Sequence, residues 1–399
     1  MTTNYSTYEP LTTETACDLV QRLGIIERTE GVECTEVGDG NVNLVFRVVN
    51  HKINHSVIVK QALPYAKVVG ESGPLPLKRA SIEAHALIRF KGVANEFVPT
   101  VYYFDEKLAV TVMEDLSHLD RVRTGLVEGK EYPLLSKHIG EYLGNTLFHT
   151  SDFALHAVKK KRLLNQFCNP ELCNITKNLV FTDPFFNYET NDFKAELLDD
   201  VNAIRKDESL LLEVAQLKKK FLTNQDALIH GDLHTGNIFA NERETKVIDP
   251  EFAFFGPIGF DIGLFFANLL LNYISRSEAG KESLLNHLAS TWDTFVKTYS
   301  ARWKEHHVET CSFDHLHIVI ASAFEDAIGF SGCEIIRRTI GLAQVADLDT
   351  IEPYELRITK KKKALQLGST LINKRRYIHT IDELINSVQN IAREKEKAV

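Results

Sequence analysis

The stretch that decides the reading is His230-Gly231-Asp232-Leu233-His234-Thr235-Gly236-Asn237, followed by Val247-Ile248-Asp249-Pro250-Glu251. An Asp and an Asn stand five positions apart on one glycine-containing loop, and a second Asp follows a short β-type run 17 positions after the first. Moving a phosphoryl group from a nucleotide to a hydroxyl needs a carboxylate at the attacking oxygen, oxygen ligands for a cation, and positive charge on the phosphates. Asp232 suits the first task, and Asn237 and Asp249 suit the second. A lone Asp-x4-Asn recurs by chance and Asp-Pro is often only a turn. The combined block is far more specific than its parts. His230 and His234 also suggest a metal pair at i, i+4, but Gly231 and Gly236 disfavour a helix and no intervening glutamate completes a zinc motif.

Working outward, the segment before Leu116 reads mainly as strands and the segment after it mainly as helices. Thr13–Leu23 carries an apolar stripe of Ala16, Leu19, Val20 and Leu23, which predicts an amphipathic helix. Gly38-Asp39-Gly40-Asn41 reads as a turn between a strand ending at Val37 and one starting near Leu44. Val57–Lys60, Thr100–Phe104 and Leu108–Met113 read as further strands, with Asp105-Glu106 as a hairpin turn, and Arg79–Phe90 as a helix. Beyond Leu116, helices are predicted over 134–148, 196–221, 260–275, 284–303, 315–344 with breaks, and 381–393. One short strand, Lys246–Ile248, interrupts them. The expected fold class is therefore α+β and bilobal, with a small β-rich N-terminal lobe (1–116) and a large, mainly helical C-terminal lobe (117–399).

In this arrangement Gly38 and Gly40 are placed to fold a backbone turn over phosphates. Lys60, closing its strand, is the natural phosphate lysine. Glu83, on the next helix, is the candidate partner that would hold it. Glu114, Asp115 and Leu116 fall where the lobes meet and where a backbone segment would meet an adenine edge.

Composition bounds the alternatives. The chain has 399 residues, 44% apolar and 25% charged, with a formal charge of −8. These values exclude collagenous and mainly disordered chains and argue against a nonspecific grip on nucleic acid or an anionic membrane. No apolar run is long enough to span a bilayer. Residues 1–10 lack the basic flank and apolar core of a secretion signal, so cytoplasm is expected. The six cysteines form no CxxC pair and read as reduced thiols. Five cations crowd into Arg357–Lys363, but without interleaved aromatics the run reads as a solvated helix face rather than a nucleic-acid patch.

HGDLHTGN with IDPE resembles the aminoglycoside-phosphotransferase and choline-kinase branch of the protein-kinase-like fold. Longer stretches resemble the methylthioribose kinase family in particular: VGDGNVNLVFRV (37–48), VKQALPYAKVVGES (59–72), VTVMEDLSH (110–118), TDPFF (182–186), FGPIGFDIG (255–263) and GCEIIRRTIGLAQVADLDTI (332–351). The resemblance implies transfer of the γ-phosphoryl of ATP to the anomeric hydroxyl of methylthioribose, with Mg²⁺ as cofactor, by a homodimer. It implies that Asp232 orients or deprotonates the hydroxyl and contacts the substrate. It places Asn43, Lys60, Glu114, Asp115, Leu116 and the Asp249-Pro250-Glu251 segment at ATP, and Asp249, Glu251 and Asn237 at the metal. Arg337 and Arg338 match the family's twin arginines, expected to clamp substrate and stabilise charge on the transferred group.

Two departures stand out. Many close relatives carry Ser where this chain has Asn237, and Asn keeps the wider kinase pattern of metal ligation. The family's loop G-E-S-W-P-L reads Gly70-Glu71-Ser72-Gly73-Pro74-Leu75 here, without the indole. Weaker closure over the methylthio group is expected. Gly73→Trp should therefore lower the KM for methylthioribose; an unchanged KM would remove the loop from that role. Choline or an aminoglycoside as acceptor, or a nucleotide-binding scaffold without catalysis, are the competing readings. The paired arginines disfavour cationic acceptors, and intact Lys60, Asp232, Asn237 and Asp249 disfavour a scaffold.

Overall fold

The structure, a computed structural model, describes residues 8–37, 42–66, 70–278, 280–306 and 313–393. The chain divides into two compact units, 1–119 with 246–253, and 120–245 with 254–399.

In the first unit, α1 (Thr13–Arg22) precedes strands β1 (Val32–Glu36), β2 (Asn43–Asn50) and β3 (His55–Ala62) and a two-stranded ribbon, β4 (Tyr65–Ala66) with β5 (Gly70–Pro74). Helix α2 (Lys78–Lys91) and strands β6 (Val101–Asp105) and β7 (Val110–Glu114) complete it. The main sheet is antiparallel in the order β1-β2-β3-β7-β6. Its apolar face follows the alternation of the strands: Phe46 and Val48, Val57 and Val59, and Val110 and Val112 pack against Ala16, Leu19 and Val20 of α1. The same alternation puts Lys60, paired in register with Val45 and Thr111, on the opposite face from Val57 and Val59. The expected helices and strands of this region are present, each within a few residues of its predicted ends. Gly38 and Gly40 lie outside the described residues.

The 246–253 segment was expected to lie with the C-terminal lobe. It clusters with the first unit instead, and the reason is electrostatic: Lys246 approaches Glu114 at 3.8 Å, Asp249 pairs with Lys60, and Glu251 lies 3.6 Å from Arg79.

The second unit opens with β8 (Asp120–Arg121), α3 (Val122–Val127), α4 (Leu135–His149), α5 (Ala157–Gln166), α6 (Pro170–Phe181), α7 (Leu198–Lys206) and α8 (Glu208–Thr223). Short strands β9 (Ala227–Ile229), β10 (Ile238–Ala240), β11 (Thr245–Val247, shared with the first unit) and β12 (Phe254–Gly256) carry the decisive motif. Helices α9 (Gly259–Ser275), α10 (Lys281–Glu305), α11 (Phe313–Ile340), α12 (Ala346–Asp349), α13 (Tyr354–Lys374) and α14 (Ile381–Arg393) follow.

The single helix predicted over 196–221 is two, because Asp207 turns extended and its carboxylate caps α8 by accepting from Leu210 N at 3.0 Å. Helices α5, α6 and most of α13 were not predicted. Each of the five cations of 357–363 is engaged within the unit: Arg357 with Ile351 O, Lys360 with Arg276 O, Lys361 with Asp349, Lys362 with Asp200 and Lys363 with Ala392 O. The run is a set of staples, with Lys361 buried, rather than the solvated face expected.

Helix α9 is buried on all sides and crosses α11 at close range. A Cβ on Gly263 would sit 2.7 Å from Ala327 O and 2.8 Å from Phe330 Cβ. Gly263→Ala therefore has to separate two backbones, and a loss of about 1–3 kcal/mol is expected, read as a lower urea midpoint at constant m-value.

Candidate active site

The first unit assembles a cation among carboxylates. Lys60 leaves β3 nine-tenths buried and its ammonium reaches Glu83 of α2 at 2.8 Å and also pairs with Asp249. The Lys60–Glu83 pair is the one the sequence suggested. Burial raises the Glu83 carboxyl above its ordinary value, and the Lys60 charge opposes that rise. Asp249 sits in left-handed backbone (φ 69°, ψ 39°) at the entry to a 3₁₀ turn over Pro250–Phe252, so the chain reverses there and presents Asp249 and Glu251 together. Oxygens of Glu83, Asp249 and Glu251 lie within 4.8 Å of one another. Three carboxylates at this spacing are hard oxygen donors of the type that holds a divalent cation.

Arg79, which no motif marked, is the brace beneath them. Fully buried, it donates to Leu63 O (3.0 Å), to Val42 O and to Asn43 Oδ1 (3.2 Å), and faces Glu251. Asn43 is thus committed through its carbonyl to Arg79. Glu114 accepts from Thr100 N at 2.9 Å. Asp115 accepts from Arg47 (2.7 Å), Ser56 (2.6 Å) and Ser117. Burial would raise the Asp115 carboxyl, but these bonds together hold it below the ordinary range. Leu116 is buried, Glu114 N donates to Thr100 O and Leu116 O accepts from Leu119 N, both at 2.9 Å.

The second unit carries its own charged cluster. β9 is fully buried, and the chain leaves it through His230 and Gly231, whose amides donate to Asp261 of α9 at 2.6 and 3.0 Å. Gly231 has φ 83°, a conformation that a side chain would strain, and it aims Asp232 outward. The loop then closes on itself: His234 N (2.9 Å) and Asn237 Nδ2 (3.1 Å) both donate to Asp232 O. Residues 230–234 are not helical, so the two histidines do not share the helix face that an i, i+4 zinc motif uses.

The Asp232 carboxylate, 23% exposed, faces Arg338 at 3.7 Å, Arg337 at 3.9 Å and His234 Nε2 at 3.4 Å. Burial, then the charges of Arg123 and Arg338, keep the His234 ring well below its ordinary pKa, so it is neutral. Arg123 donates to Asn268 at 2.7 Å, and burial with the Arg338 charge pulls it down to about 10.

Glu334, one turn before the twin arginines on α11, is fully buried and accepts from Arg337 Nε at 2.6 Å and Arg338 Nε at 2.7 Å. Burial favours its neutral form, but the two guanidiniums overcome this and pull it down to about 2. Its folded pKa lies below the unfolded one, so it contributes stability above the ordinary glutamate range that is lost as pH falls toward 2. The shift corresponds to roughly 3 kcal/mol. The stability gap between the native chain and Glu334→Gln should accordingly narrow by about half between pH 7 and pH 3, read from urea midpoints. A pH-independent gap would contradict the ionised clamp.

The sequence singled out Asp232, Asn237, Arg337 and Arg338, which lie in the second unit, and Lys60, Glu83, Asp249 and Glu251, which lie in the first, although Asp249 and Glu251 were expected with the C-terminal lobe. It missed Arg79, Arg123 and Glu334. Only Glu334 left a signal, an acid three and four residues before two arginines on a helix.

Comparison with known proteins agrees with a phosphoryl-transfer apparatus. The model of the phosphotransferase enzyme family matches residues 33–302, and the chain belongs to that family. Within it, the chain is 58% identical to methylthioribose kinase of Geobacillus sp., over 94% of this chain and 95% of the relative. It is 52% identical to methylthioribose kinase of Bacillus velezensis, over 96% and 97%. Among solved structures, choline kinase from Cryptosporidium parvum aligns with 95% of this chain and 98% of its own at 14% identity, with a TM-score of 0.48. Among the described residues, no helix is long and apolar enough to cross a membrane.

Proposed function

We propose that this chain phosphorylates S-methyl-5-thioribose at the anomeric hydroxyl, taking the γ-phosphoryl group of ATP and giving the 1-phosphate, as a step of methionine salvage. The observation that carries the reading is the 58% identity to a methylthioribose kinase across 94% of the chain. The charged groups of both half-sites support it.

MgATP, when bound, supplies the electrophilic phosphorus and the cation that neutralises charge on the phosphate oxygens. Lys60, steadied by Glu83, binds phosphate. Asp249 and Glu251 hold the metal, with Asn237 contributing its amide oxygen. The backbone of Glu114–Leu116 takes the adenine, and Asn43 with Pro250 shapes the ATP site. Asp232 receives the acceptor hydroxyl and accepts its proton as the oxygen attacks. Arg337 and Arg338 stabilise the negative charge spread over the transferred group. Except for Asn237, donor chemistry belongs to the unit of 1–119 with 246–253 and acceptor chemistry to the other unit, and the enzyme works as a cytoplasmic homodimer.

A coupled ADP-release assay over methylthioribose, ribose, choline and an aminoglycoside tests the assignment. Magnesium-dependent turnover with methylthioribose is expected. Turnover with choline and none with methylthioribose would overturn it. Light scattering on the purified protein reads the dimer.

A further inference from the structure

We infer that Glu334 is a positioning residue of the acceptor half: it occupies the inner edges of Arg337 and Arg338 and so keeps them from locking the Asp232 carboxylate. The inference rests on the proposed reaction, in which Asp232 must accept from the sugar hydroxyl.

The geometry is specific. Glu334 Oε2 accepts from Arg337 Nε at 2.6 Å, and Oε1 accepts from Arg338 Nε at 2.7 Å and from Arg337 Nη2 at 3.3 Å. Arg338 also donates through Nη1 to Ala343 O at 3.1 Å. A guanidinium is a rigid planar fork, and its most favourable partner is a carboxylate held by two parallel bonds. Two such forks beside one aspartate would clasp it and fill the lone pairs that the reaction needs. Here Arg337 makes that two-bond clasp with Glu334, and Arg338 is held by one bond to Glu334 and one to Ala343 O. What comes nearest Asp232 is Nη2 of each arginine, both toward Oδ1, at 3.9 and 3.7 Å, and in Arg337 that nitrogen is the one shared with Glu334 Oε1. These distances lie beyond a hydrogen bond but within strong Coulomb range.

The spacing makes this possible. Residues three and four apart share a helix face, so one carboxylate on α11 meets both arginines of the next turn. Two carboxylates and two guanidiniums balance to zero. Removing the Glu334 charge leaves two cations facing one anion, and the arginines collapse onto Asp232.

The test is a double-mutant cycle on the full-length protein with MgATP and methylthioribose. Glu334→Gln should lower kcat by about 100-fold and leave the KM for ATP within about threefold, since the lesion lies on the acceptor side. In an Arg338→Met background the same change should lower kcat by less than about threefold, because Glu334 acts through the arginines. A kcat near that of the unmutated enzyme, or losses that multiply in the double variant, would overturn the inference. If Glu334→Gln does not fold, Glu334→Asp is read in the same cycle: its charge is kept but its reach is shorter, so a smaller loss of kcat that disappears in the Arg338→Met background is expected, and an unchanged kcat would overturn the inference. The unmutated enzyme is the first arm: its failure to turn over methylthioribose would refute the proposed reaction, whereas turnover by it and by Glu334→Gln at nearly equal kcat would refute only the role of Glu334.

Discussion

Asp232→Asn should fold normally and lose about three orders of magnitude in kcat, within the range expected when a positioned proton acceptor is removed. The loop that carries Asp232 is not built on its carboxylate. His234 N and Asn237 Nδ2 bind the Asp232 backbone oxygen, and Asp261 holds the amides of His230 and Gly231. An amide in place of the carboxylate therefore leaves the loop where it is. It cannot accept the hydroxyl proton, and it puts a neutral group opposite Arg337 and Arg338. The readout is kcat from ADP release beside a thermal melt by circular dichroism. A kcat within tenfold of the unmutated enzyme, at unchanged melting temperature, would remove Asp232 from the chemistry.

Asp249→Asn should be nearly as damaging, with kcat/KM for MgATP down about 1,000-fold and little loss of fold. Position 249 is left-handed, which most side chains resist and asparagine tolerates, so the backbone reversal that presents Glu251 is preserved. Lys60 keeps its bond to Glu83 at 2.8 Å. What disappears is one of three carboxylate oxygens within 4.8 Å, hence charge at the cation site. Partial recovery at high magnesium is the signature of a weakened metal ligand. A kcat/KM within tenfold of the unmutated enzyme, with no change in magnesium dependence, would contradict the role.

The contrast between these residues and those that were missed has a physical basis. Asp232, Asn237 and the neighbouring glycines lie within eight consecutive residues, and the bonds internal to the loop span two to five positions, with Asp261 bracing it from α9. Chemistry compressed this way is legible in a linear reading. Arg79 is the opposite case. Its partners, Val42, Asn43, Leu63 and Glu251, are dispersed along the chain, and as a residue type it is usually solvated. Nothing local distinguishes it from any other arginine on a helix. The basic run at 357–363 shows the same blindness in reverse. It reads as free surface charge, whereas its lysines meet carbonyl and carboxylate groups brought up from distant helices.

Alternating apolar residues were enough to determine the strands of the small lobe and the side of the sheet on which Lys60 lies, because a two-residue repeat is a property of the chain itself. The Asp-x4-Asn loop, its glycines and the Asp-Pro-Glu turn were likewise determined locally. Only the tertiary structure decided that Asp249, 189 positions from Lys60, pairs with it, that 246–253 clusters with the first unit, and that Glu334 turns two arginines away from Asp232. Long-range ion pairs leave no period in a sequence. They exist only where burial strips water from the charges and packing brings the elements that carry them within a few ångströms.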